Sequence, residues 1–412
     1  MTEAWIIDAC RTPRGIGKIG KGSLAEFHPQ LLGAAVLRAL AERNNLETGD
    51  VDDIIWGTSM QVGTQGGDLG RMAALDAGYD LRASGVTLDR YCGSGITASS
   101  LAAAQVMSGM EDLVVAGGTE MMSSYGTNRS MVAGGMIDSG NMHLRAMYPQ
   151  PNQGVAADAI ASMEGIPRSA LDELAALSQA RAATAIAEGR FDKSLIPVYH
   201  EDGSVALATE EYPRAGTTVE KLAALPASFG TIADYELDDQ GTTFRKMIAQ
   251  RYPDLTIEHV HHAGNSSGVV DGAAAILFAN PEYAKAHGMK PRARVVATAN
   301  MGDDPTLMLN APVPAARKVL AKAGMTVDQI DLFEVNEAFA VVTEKFIRDL
   351  DIDRETINVN GGAMALGHPI GATGSMLIGT VLDELERQDK QFGLVTMCAA
   401  GGMAPAIIIE RI

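Results

Sequence analysis

Two thiols, one imidazole and one amide stand in this 412-residue chain at glycine-rich turns or directly after short apolar runs: Cys92, Cys398, His368 and Asn336. A thiol becomes a strong nucleophile once a neighbouring base removes its proton, and it can also act as an acid. An amide can hold a water molecule or stabilise an oxyanion. If these four side chains meet in one cleft, they can form and break bonds at a carbonyl carbon.

Cys92 lies in the run LDRYCGSGI, between a strand-like segment and a long helix of small residues. The free N–H groups and the positive end of the helix dipole stabilise a thiolate, so we expect the pKa of Cys92 to be lowered. Gly93, Ser94 and Gly95 leave room for another backbone or a substrate. A buried and inert cysteine is the alternative interpretation.

The other three side chains stand in comparable settings. His368 lies in GGAMALGHPIGATG, where glycine permits φ > 0 or close approach and Pro369 stiffens the turn before a helix. Cys398 ends an apolar run, and the following AAGGM can point backbone N–H groups at a ligand. Asn336 begins the run NEAF after a strand, where its amide either caps a helix or holds a water or an oxyanion.

Short apolar runs that alternate with helical patterns must position these residues. The predicted strands are 5–9, 54–56, 113–116, 295–297, 332–335, 394–398 and 406–409. The predicted helices include 29–43, 94–107, 312–323, 337–349 and 371–386. This alternation predicts a layered α/β fold. Because the carboxyl ends of strands converge on one crevice in doubly wound sheets, we expect the four side chains to meet there.

A weak internal repeat predicts that the fold is duplicated. DVDDIIWG at 50–57 resembles VDQIDLFEV at 327–335, and LVVAGG at 113–118 resembles LVTMCAAGG at 394–402. We therefore predict two copies of one α/β unit, at 1–125 and 285–412. The segment 126–254 is predicted to be an inserted loop domain over the site, and 255–284 to rejoin the first unit.

Composition excludes several classes of protein. Hydrophobic residues make up 46% and charged residues 20%, with a mean hydropathy of +0.04, which is typical of a globular protein. A net charge of −18 disfavours nucleic acid as a partner. Three cysteines without a CxxC motif favour a reducing cytoplasm over secretion. We find no signal peptide at the start of this sequence and no apolar run long enough to span a bilayer.

Several formal motifs are poor matches in context. Residues 15–20 satisfy GxGxxG without opening a helix, and the overlapping 15–22 lacks the Ser or Thr of a phosphate-binding loop. GNSSG at 264–268 matches the elbow of a serine hydrolase around Ser266, but a poor strand precedes it. His259, His261 and His262 lack a nearby thiolate or carboxylate at metal-ligand spacing, so we expect polar edge residues and no metal.

Four blocks in fixed order resemble the signatures of the thiolase family: Cys92-Gly-Ser, Asn336-Glu-Ala-Phe, Gly367-His-Pro and Cys398. The resemblance extends over essentially the whole chain, including RTP at 11–13, VAGGTE at 115–120, GRFD at 189–192 and GNSSG at 264–268. In detail the chain is most similar to degradative 3-ketoacyl-CoA thiolases. The resemblance implies a five-layer α/β/α/β/α fold of two duplicated units, with a loop domain over the active site.

The resemblance also implies roles for the four side chains. Cys92, activated by His368, would attack a 3-ketoacyl-CoA and carry the acyl group as a thioester. Cys398 would act as general acid and then as general base towards incoming CoA. One oxyanion would be stabilised by His368 and a water held by Asn336. The other would be stabilised by the backbone N–H of Cys92 and that of Ala400 or Gly401.

Substrate contacts follow from the same resemblance. Ser267 matches a family position that meets the pantetheine arm of CoA, and Gly154 ends the segment Asn152-Gln153-Gly154, where acetoacetyl-CoA-specific members carry His-Met-Gly over the acyl pocket. CoA would be a co-substrate, with no permanently bound cofactor and no metal. The chain from 229 to 262 is longer than in the short forms, so we infer a pocket for acyl groups longer than acetyl.

Two further departures from the family pattern concern the reacting thiols. Ala400 stands where the block after the acid thiol normally has glycine, which leaves open which N–H completes the second oxyanion hole. Asp89 replaces a common Asn near the nucleophile, and its charge would raise the pKa of the thiol unless a partner such as Arg90 pairs with it.

The resemblance leaves several alternatives and partners to test. We expect a cytoplasmic homodimer or homotetramer, and a hydratase/dehydrogenase subunit of a β-oxidation complex is a candidate partner. The first alternative function is an acetoacetyl-CoA thiolase working in the condensing direction. From other classes, the alternatives are a serine hydrolase using Ser266 and His368, and an inactive CoA-binding scaffold subunit.

Overall fold

A computed structural model describes residues 2–125 and 136–412. The strands are β1 (Trp5–Arg11), β2 (Gly15–Ile16), β3 (Asp53–Gly57), β4 (Val86–Leu88), β5 (Leu113–Met121), β6 (Val198–Tyr199), β7 (Val205–Leu207), β8 (Val270–Ala279), β9 (Ala293–Gly302), β10 (Leu332–Val335), β11 (Phe392–Thr396) and β12 (Met403–Arg411).

The α-helices of the described residues fall between these strands. They are α1 (Pro29–Arg43), α2 (Leu69–Asp76), α3 (Ser94–Ser108), α4 (Met142–Met147), α5 (Gln153–Met163), α6 (Arg168–Ala187), α7 (Val219–Ala223), α8 (Gly230–Ala233), α9 (Phe244–Ala249), α10 (Pro281–Ala286), α11 (Pro312–Ala323), α12 (Ala340–Leu350), α13 (Ala363–Leu366) and α14 (Ile370–Arg387).

The sheet shows the duplication directly. Its strand order is β10-β11-β12-β9-β1-β8-β5-β3-β4, with β2 beside β8. In one half, β3 pairs with β5 in parallel, and β8 and β1 follow antiparallel. In the other half, β10 pairs with β11 in parallel, and β12 and β9 follow antiparallel. The halves are hydrogen-bonded to each other where Trp5 and Ile6 of β1 meet Arg294 and Ala293 of β9.

Three large hydrophobic cores lie between the layers of the fold. Alternate residues of a strand face opposite sides of its sheet. Ile54 and Trp56 of β3 therefore pack in the core under α1 and α2, whereas Ile55 packs in the central core with α3 and α14. On the other half, Ile407 of β12 faces the same central core, and Ile408 faces the core under α11 and α12. The order of layers is thus α/β/α/β/α, as expected from the sequence.

The predicted elements are present, with some differences at their ends. The helices predicted at 29–43 and 312–323 have these bounds. The strand predicted at 113–116 continues to Met121, because Gly117 and Gly118 stay in the sheet where the sequence favours a turn. The helix predicted to begin at Glu337 begins at Ala340, because Phe339 is extended (φ −141°, ψ 149°) and bridges to Ser266.

The predicted loop domain and the predicted return to the first unit can be compared with the observed elements. Residues 126–135, the first ten of the predicted loop domain, lie outside the described residues. From 136 onward the segment forms α4 to α9 and the two-stranded sheet of β6 and β7. β8 then enters the sheet of the first unit between β1 and β5. Among the described residues, no helix is long and apolar enough to cross a membrane.

Candidate active site

The carboxyl ends of three strands lead to predicted site residues. β4 leads to Cys92, β10 to Asn336 and β11 to Cys398. Helices α3 and α14, which carry the nucleophile turn and His368, cross in the central layer. A Cβ placed on Gly95 would lie 2.7 Å from the backbone nitrogen of Ser375, so the crossing requires glycine. The close approach expected around Cys92 is therefore present.

Cys92 sits in a tight turn before α3. Tyr91 adopts a left-handed conformation (φ 50°), and Gly93 occupies the N-cap position of the helix without a side-chain cap. The side chain of Cys92 is buried, with 6% exposure. A Cβ on Gly93 would lie 2.8 Å from Pro405 Cδ and 3.4 Å from Ala399 Cβ. The backbone after Cys92 thus packs directly on the turn that follows Cys398.

The prediction of a lowered pKa for Cys92 is wrong. The pKa of its thiol is raised to about 12, and burial is the largest cause. The negative charges of Glu120 and Asp89 also raise this pKa, and the backbone hydrogen bond at Cys92 lowers it. The helix dipole acts in the expected direction, but removing the thiolate from water costs more than the first turn of a helix returns. Cys92 is therefore a neutral thiol at neutral pH.

Asp89 does not find the partner suggested from the sequence. Its carboxylate accepts a hydrogen bond from Tyr91 N at 2.6 Å, and burial raises its own pKa. Among residues 2–125 and 136–412, Arg90 Nε has no hydrogen-bond partner, and Arg90 is not among the groups that shift the pKa of Asp89. Asp89 thus acts as the cap of the Tyr91 turn, and its charge opposes the thiolate of Cys92 as expected for an unpaired carboxylate.

His368 is held at the start of α14. Gly367 has φ 94°, and a Cβ there would lie 2.4 Å from Val270 Cγ1, so glycine is required before the histidine. The backbone N–H of His368 donates to Gly268 O at 2.9 Å. Pro369 then occupies the N-cap position of α14. These contacts fix the imidazole between the two units.

The hydrogen bonds of Thr373 fix the tautomer of His368. The Thr373 hydroxyl donates its hydrogen to Pro369 O at 2.9 Å, so its oxygen must accept from His368 Nδ1, which lies 2.7 Å away. His368 Nε2 therefore carries a lone pair, and it is buried without a partner among the described residues. Burial, followed by the charge of Arg14, lowers the pKa of His368 to about 3. The imidazole is a neutral base with its acceptor nitrogen free.

Cys398 lies close to Cys92. Its side chain is 1% exposed, and both burial and the charge of the Cys92 thiolate raise its pKa. The turn after it is closed by two hydrogen bonds, from Ala399 N to Met403 O (2.6 Å) and from Met403 N to Ala399 O (3.0 Å). The two thiols are therefore electrostatic neighbours on adjoining backbone turns.

The turn after Cys398 explains the departure at Ala400. Positive φ angles fall on Gly401 (78°) and Gly402 (75°), whereas Ala400 is not among the positive-φ residues. A Cβ on Gly402 would also lie 2.6 Å from Asp303 O, so glycine is required there on steric grounds as well. Alanine is thus compatible with the backbone at position 400.

Asn336 is not a helix cap. The N-cap position of α12 is Phe339, which has no side-chain cap, so the capping alternative is wrong. The backbone N–H of Asn336 donates to Thr396 O at 3.2 Å, which ties the ends of β10 and β11 together. Its side chain is 1% exposed, and neither amide atom has a partner among the described residues. Such a buried amide requires a water or a ligand.

Glu337, next to Asn336, was not predicted to be important. Its buried carboxylate accepts hydrogen bonds from Ser178 Oγ (2.7 Å), Met364 N (3.1 Å) and Asn358 Nδ2 (3.1 Å). Burial raises its pKa, and these bonds lower it. Glu337 thereby joins the Asn336 block to α6 and to α13, the short helix that ends directly before Gly367.

The two predicted substrate positions are Ser267 and Gly154. Ser267 is half-buried, and its backbone N–H donates to Ala338 O at 2.9 Å. Gly154 begins α5 under the ring of Phe229, where a Cβ would lie 2.1 Å from a ring carbon. Phe229 in turn packs edge to face on Phe339, with ring centroids 5.8 Å apart. Ser267 thus borders the Asn336 block directly, whereas the ring of Phe229 lies between Gly154 and Phe339.

Ser266 of the rejected GNSSG motif has a structural role. Its hydroxyl donates to His262 O at 2.9 Å, so it is already hydrogen-bonded to the backbone.

The three histidines are not polar edge residues, so that expectation is wrong. His261 and His262 are buried; the Asp158 carboxylate pairs with His259 and His261, and Asp172 pairs with His262. In the described part of the chain, no cluster of His, Cys, Asp and Glu could hold a metal ion.

Comparisons with known proteins identify the family of this fold. Residues 4–234 match the family model for the N-terminal domain of thiolase, and residues 289–411 match that for its C-terminal domain. The chain is 37% identical to a beta-ketoadipyl-CoA thiolase of Acinetobacter baylyi over the full length of both proteins. It is also 37% identical to a steroid 3-ketoacyl-CoA thiolase of Mycobacterium tuberculosis, over all of this chain and 95% of that protein.

A solved structure has the same fold. The crystal structure of the Bacillus anthracis acetyl-CoA acetyltransferase matches with a TM-score of 0.84 at 31% identity, covering 100% of this chain and 99% of that chain. The chain therefore belongs to the thiolase family and is an acyltransferase. Other relatives are named acetyl-CoA acetyltransferase, among them one of Cupriavidus necator at 35% identity over the full length of both proteins.

Proposed function

We propose that this chain is a 3-ketoacyl-CoA thiolase, which uses CoA to cleave a 3-ketoacyl-CoA into acetyl-CoA and a shortened acyl-CoA. One combination of observations supports the proposal: a neutral imidazole with an unpartnered, buried Nε2 lies directly before α14, and the thiols of Cys92 and Cys398 are electrostatic neighbours at the start of α3, which packs on α14. These groups supply one base and two neutral thiols, one to act as nucleophile and one as acid, which a two-step acyl transfer requires.

In the first half-reaction, His368 Nε2 takes the proton of Cys92, and the sulfur attacks C3 of the substrate. The C2–C3 bond then breaks, and its electron pair goes to C2 of the departing acetyl-CoA enolate. Cys398 gives its proton to that carbon, because an enolate is a strong base. The products are acetyl-CoA and an acyl thioester on Cys92.

In the second half-reaction, the thiolate of Cys398 takes the proton of incoming CoA. The CoA sulfur attacks the thioester, and the released Cys92 sulfur recovers its proton from His368. The site thus returns to two neutral thiols and a neutral imidazole. No proton is gained or lost by the protein over one turnover.

Two oxyanions need separate donors in this scheme. The protonated His368, with a water on the unpartnered amide of Asn336, would face the enolate oxygen. The backbone N–H of Cys92 and that of Ala400 or Gly401 would face the oxygen of the tetrahedral intermediate. Each such donor is typically worth about 3 kcal/mol of transition-state stabilisation.

A cavity beside the nucleophile supports an acyl group longer than acetyl. It has a volume of about 450 Å³ and is lined by Tyr91, which precedes Cys92, and by Gly401 of the turn after Cys398. Its remaining walls are Ile137, Leu144, Tyr148, Gln150 and Pro305. This mainly apolar lining favours a hydrocarbon chain, and we infer the degradative specificity from it.

A second, smaller cavity supports a site for CoA. It has a volume of about 170 Å³ and reaches from Gly264, three residues before Ser267, to the basic side chains of Arg214 and Lys221. The sequence shows no basic cluster, but the fold brings these two cations together in an otherwise acidic protein. We infer that the pantetheine arm passes Ser267 and that the phosphates of CoA lie near the two cations.

The central test is the covalent intermediate. We expect incubation with a 3-ketoacyl-CoA in the absence of free CoA to add the shortened acyl group to the peptide containing Cys92, as measured by mass spectrometry. Cys92→Ala should abolish both the adduct and thiolysis. Cys10→Ala is the matched control, because Cys10 is equally buried but donates to Val36 O at 3.3 Å, away from the site.

The outcome separates the alternatives. A scaffold protein would lose nothing on Cys92→Ala, and a serine hydrolase would be labelled by a fluorophosphonate at Ser266. An acetoacetyl-CoA thiolase would prefer acetoacetyl-CoA to 3-ketooctanoyl-CoA by kcat/KM. We expect the opposite preference.

The exposed edge of the sheet supports a homo-oligomer. β4 is the outermost strand of its half, Val86 on it is 45% exposed, and Leu81 nearby is 80% exposed. An unpaired edge with apolar side chains favours pairing with another chain. We infer a cytoplasmic homodimer or homotetramer, and light scattering after gel filtration would measure its mass. A hydratase/dehydrogenase subunit stays a predicted partner, for which co-purification is the test.

A further inference from the structure

The carboxylate of Glu120 has no role in the chemistry proposed above, yet it is fully buried at the end of β5. It accepts hydrogen bonds from Ser59 N (2.9 Å), Met60 N (3.2 Å), Gln65 Nε2 (3.2 Å) and Gly371 N (2.8 Å). These donors come from the turn after β3 and from the first turn of α14. One side chain therefore joins three separate parts of the chain.

The bond to Gly371 replaces a missing helix cap. Pro369 occupies the N-cap position of α14 and has no side-chain acceptor for the free N–H groups of the first turn. Glu120 supplies that acceptor from another element. Because His368 directly precedes Pro369, the same bond fixes the backbone that carries the imidazole.

The start of α14 is also held sterically. A Cβ on Gly118 would lie 2.1 Å from Gly371 O, and a Cβ on Gly371 would lie 2.5 Å from Gly57 O. The helix start is therefore wedged between the ends of β3 and β5, with no space for a side chain on any of the three residues. Glu120 lies two residues after Gly118, and its carboxylate adds the hydrogen bond from Gly371 N to this steric contact.

Glu120 is also an electrostatic neighbour of the nucleophile. After burial, its negative charge is the largest factor that raises the pKa of Cys92, and Asp89 adds to it. The charge of Glu120 also raises the pKa values of Tyr125 and Asp271, and the Cys92 thiolate raises that of Cys398. Burial raises the pKa of Glu120 itself, and its hydrogen bonds lower it.

We propose that Glu120 is a positioning residue of the thiolase reaction: it anchors the first turn of α14, and with it His368, against the nucleophile turn. The carboxylate also lies near the nucleophile turn, because a Cβ on Gly57 would lie 2.8 Å from Gly371 O and 2.9 Å from Ser94 Cβ. A second effect follows: its negative charge opposes a thiolate on Cys92. This inference rests on the proposed function only in assuming that Cys92 is the nucleophile and His368 its base.

The test uses two substitutions with different effects. Glu120→Gln keeps the size of the side chain and removes its charge, whereas Glu120→Asp keeps the charge and shortens the reach to Gly371. We expect both variants to lose at least tenfold in kcat, with KM values within threefold of the wild type. We expect only Glu120→Gln to shift the pH profile of Cys92 alkylation by iodoacetamide to lower pH, with an at least twofold faster reaction at pH 8.

A buried carboxylate elsewhere provides the control for charge. Glu337→Gln removes a charge that is as deeply buried but is not among those that raise the pKa of Cys92, so we expect an unshifted alkylation profile. General loosening of the fold would change the alkylation rate in both Glu120→Gln and Glu337→Gln. Faster alkylation with slower turnover in Glu120→Gln alone therefore distinguishes the proposed role from loosening.

Two results would overturn the inference: a folded Glu120→Gln enzyme with an unchanged alkylation profile, or a Glu120→Asp enzyme with kcat within twofold of the wild type. If Glu120→Gln does not fold, the Glu120→Asp result decides. Failure of the proposed function is distinguishable, because it would show as a wild-type chain that forms no acyl adduct on Cys92.

Discussion

Replacing Thr373 with valine removes the hydroxyl that fixes the tautomer of His368 and changes little else in volume. His368 Nδ1–H would then be a buried donor without an acceptor, because Thr373 Oγ1 at 2.7 Å is the partner it has in the structure. Leaving a buried donor unsatisfied costs about 1–3 kcal/mol. If the whole of that cost falls on the active geometry, kcat falls by about 5- to 150-fold, since about 1.4 kcal/mol corresponds to a factor of ten.

The same helix contains a matched control. Thr380 is 7% exposed and donates to Met376 O at 2.9 Å, the same bond to the carbonyl four residues earlier that Thr373 makes to Pro369. Thr380→Val should therefore lose a similar hydrogen bond without touching the imidazole, and its kcat should stay within twofold of the wild type. Thr373→Ser keeps the hydroxyl and should restore most of the activity.

The assay is steady-state thiolysis of a medium-chain 3-ketoacyl-CoA, with single-turnover acylation of Cys92 measured by quenched mass spectrometry. We expect the loss in Thr373→Val to appear in the acylation step, where His368 acts as the base. The reasoning is refuted if Thr373→Val folds and acylates Cys92 as fast as Thr380→Val, because the tautomer of His368 would then not depend on residue 373.

Three further perturbations have expected outcomes. Asn336→Leu should lower kcat at least tenfold while shifting Tm by less than about 3 °C, because the amide it removes makes no bond to the described residues; calorimetry and kinetics on one preparation measure both. Gly374→Ala should destabilise the fold by about 1–3 kcal/mol in urea, since its Cβ would lie 2.2 Å from Ile96 N, whereas at Gly379 the nearest atom, Ala9 Cβ, is 3.3 Å away and alanine should cost less. Asp271 has its pKa raised by burial to about 6, so its contribution to stability is present below pH 4 and lost as pH rises through 6; Asp271→Asn should remove about 2 kcal/mol of the pH dependence of unfolding between pH 4.5 and 8.

The fold was predictable where the signal is local. The apolar runs and helical patterns place most elements, because burial between two helical layers requires short continuous apolar strands. The ends of the strands were not predictable in the same way. Gly117 and Gly118 resemble a turn in sequence, yet they continue β5, because the start of α14 lies against the sheet where a side chain would otherwise stand. That packing partner is distant in sequence.

The site was predictable to a similar extent. Cys92, His368 and Cys398 stand out because glycine-rich turns around a reactive side chain are rare as packing material. Glu120 and Glu337 could not be found this way, since their function lies in contacts with residues far along the chain, such as Gly371 for Glu120.

Thr373 did have a local signal. A hydroxyl residue five positions after the histidine, in the first turn of a predicted helix, can reach back to the imidazole.

The sign of the thiol pKa shift was the principal error, and its cause bears on the mechanism. A helix N-terminus and one histidine suggest a preformed thiolate, but Cys92 is shielded from water on all sides by elements from both units. Burial acts on both reacting groups in the direction of neutrality, raising the pKa of Cys92 and lowering that of His368. A thiolate–imidazolium pair is therefore unfavourable in the resting site, and in the proposed mechanism proton transfer becomes favourable only when a negative oxygen on the substrate faces the protonated imidazole. Burial thus disfavours the charge separation in the free protein, whereas the oxyanion of the substrate would stabilise it in the transition state. Stabilisation of the transition state is what accelerates a reaction.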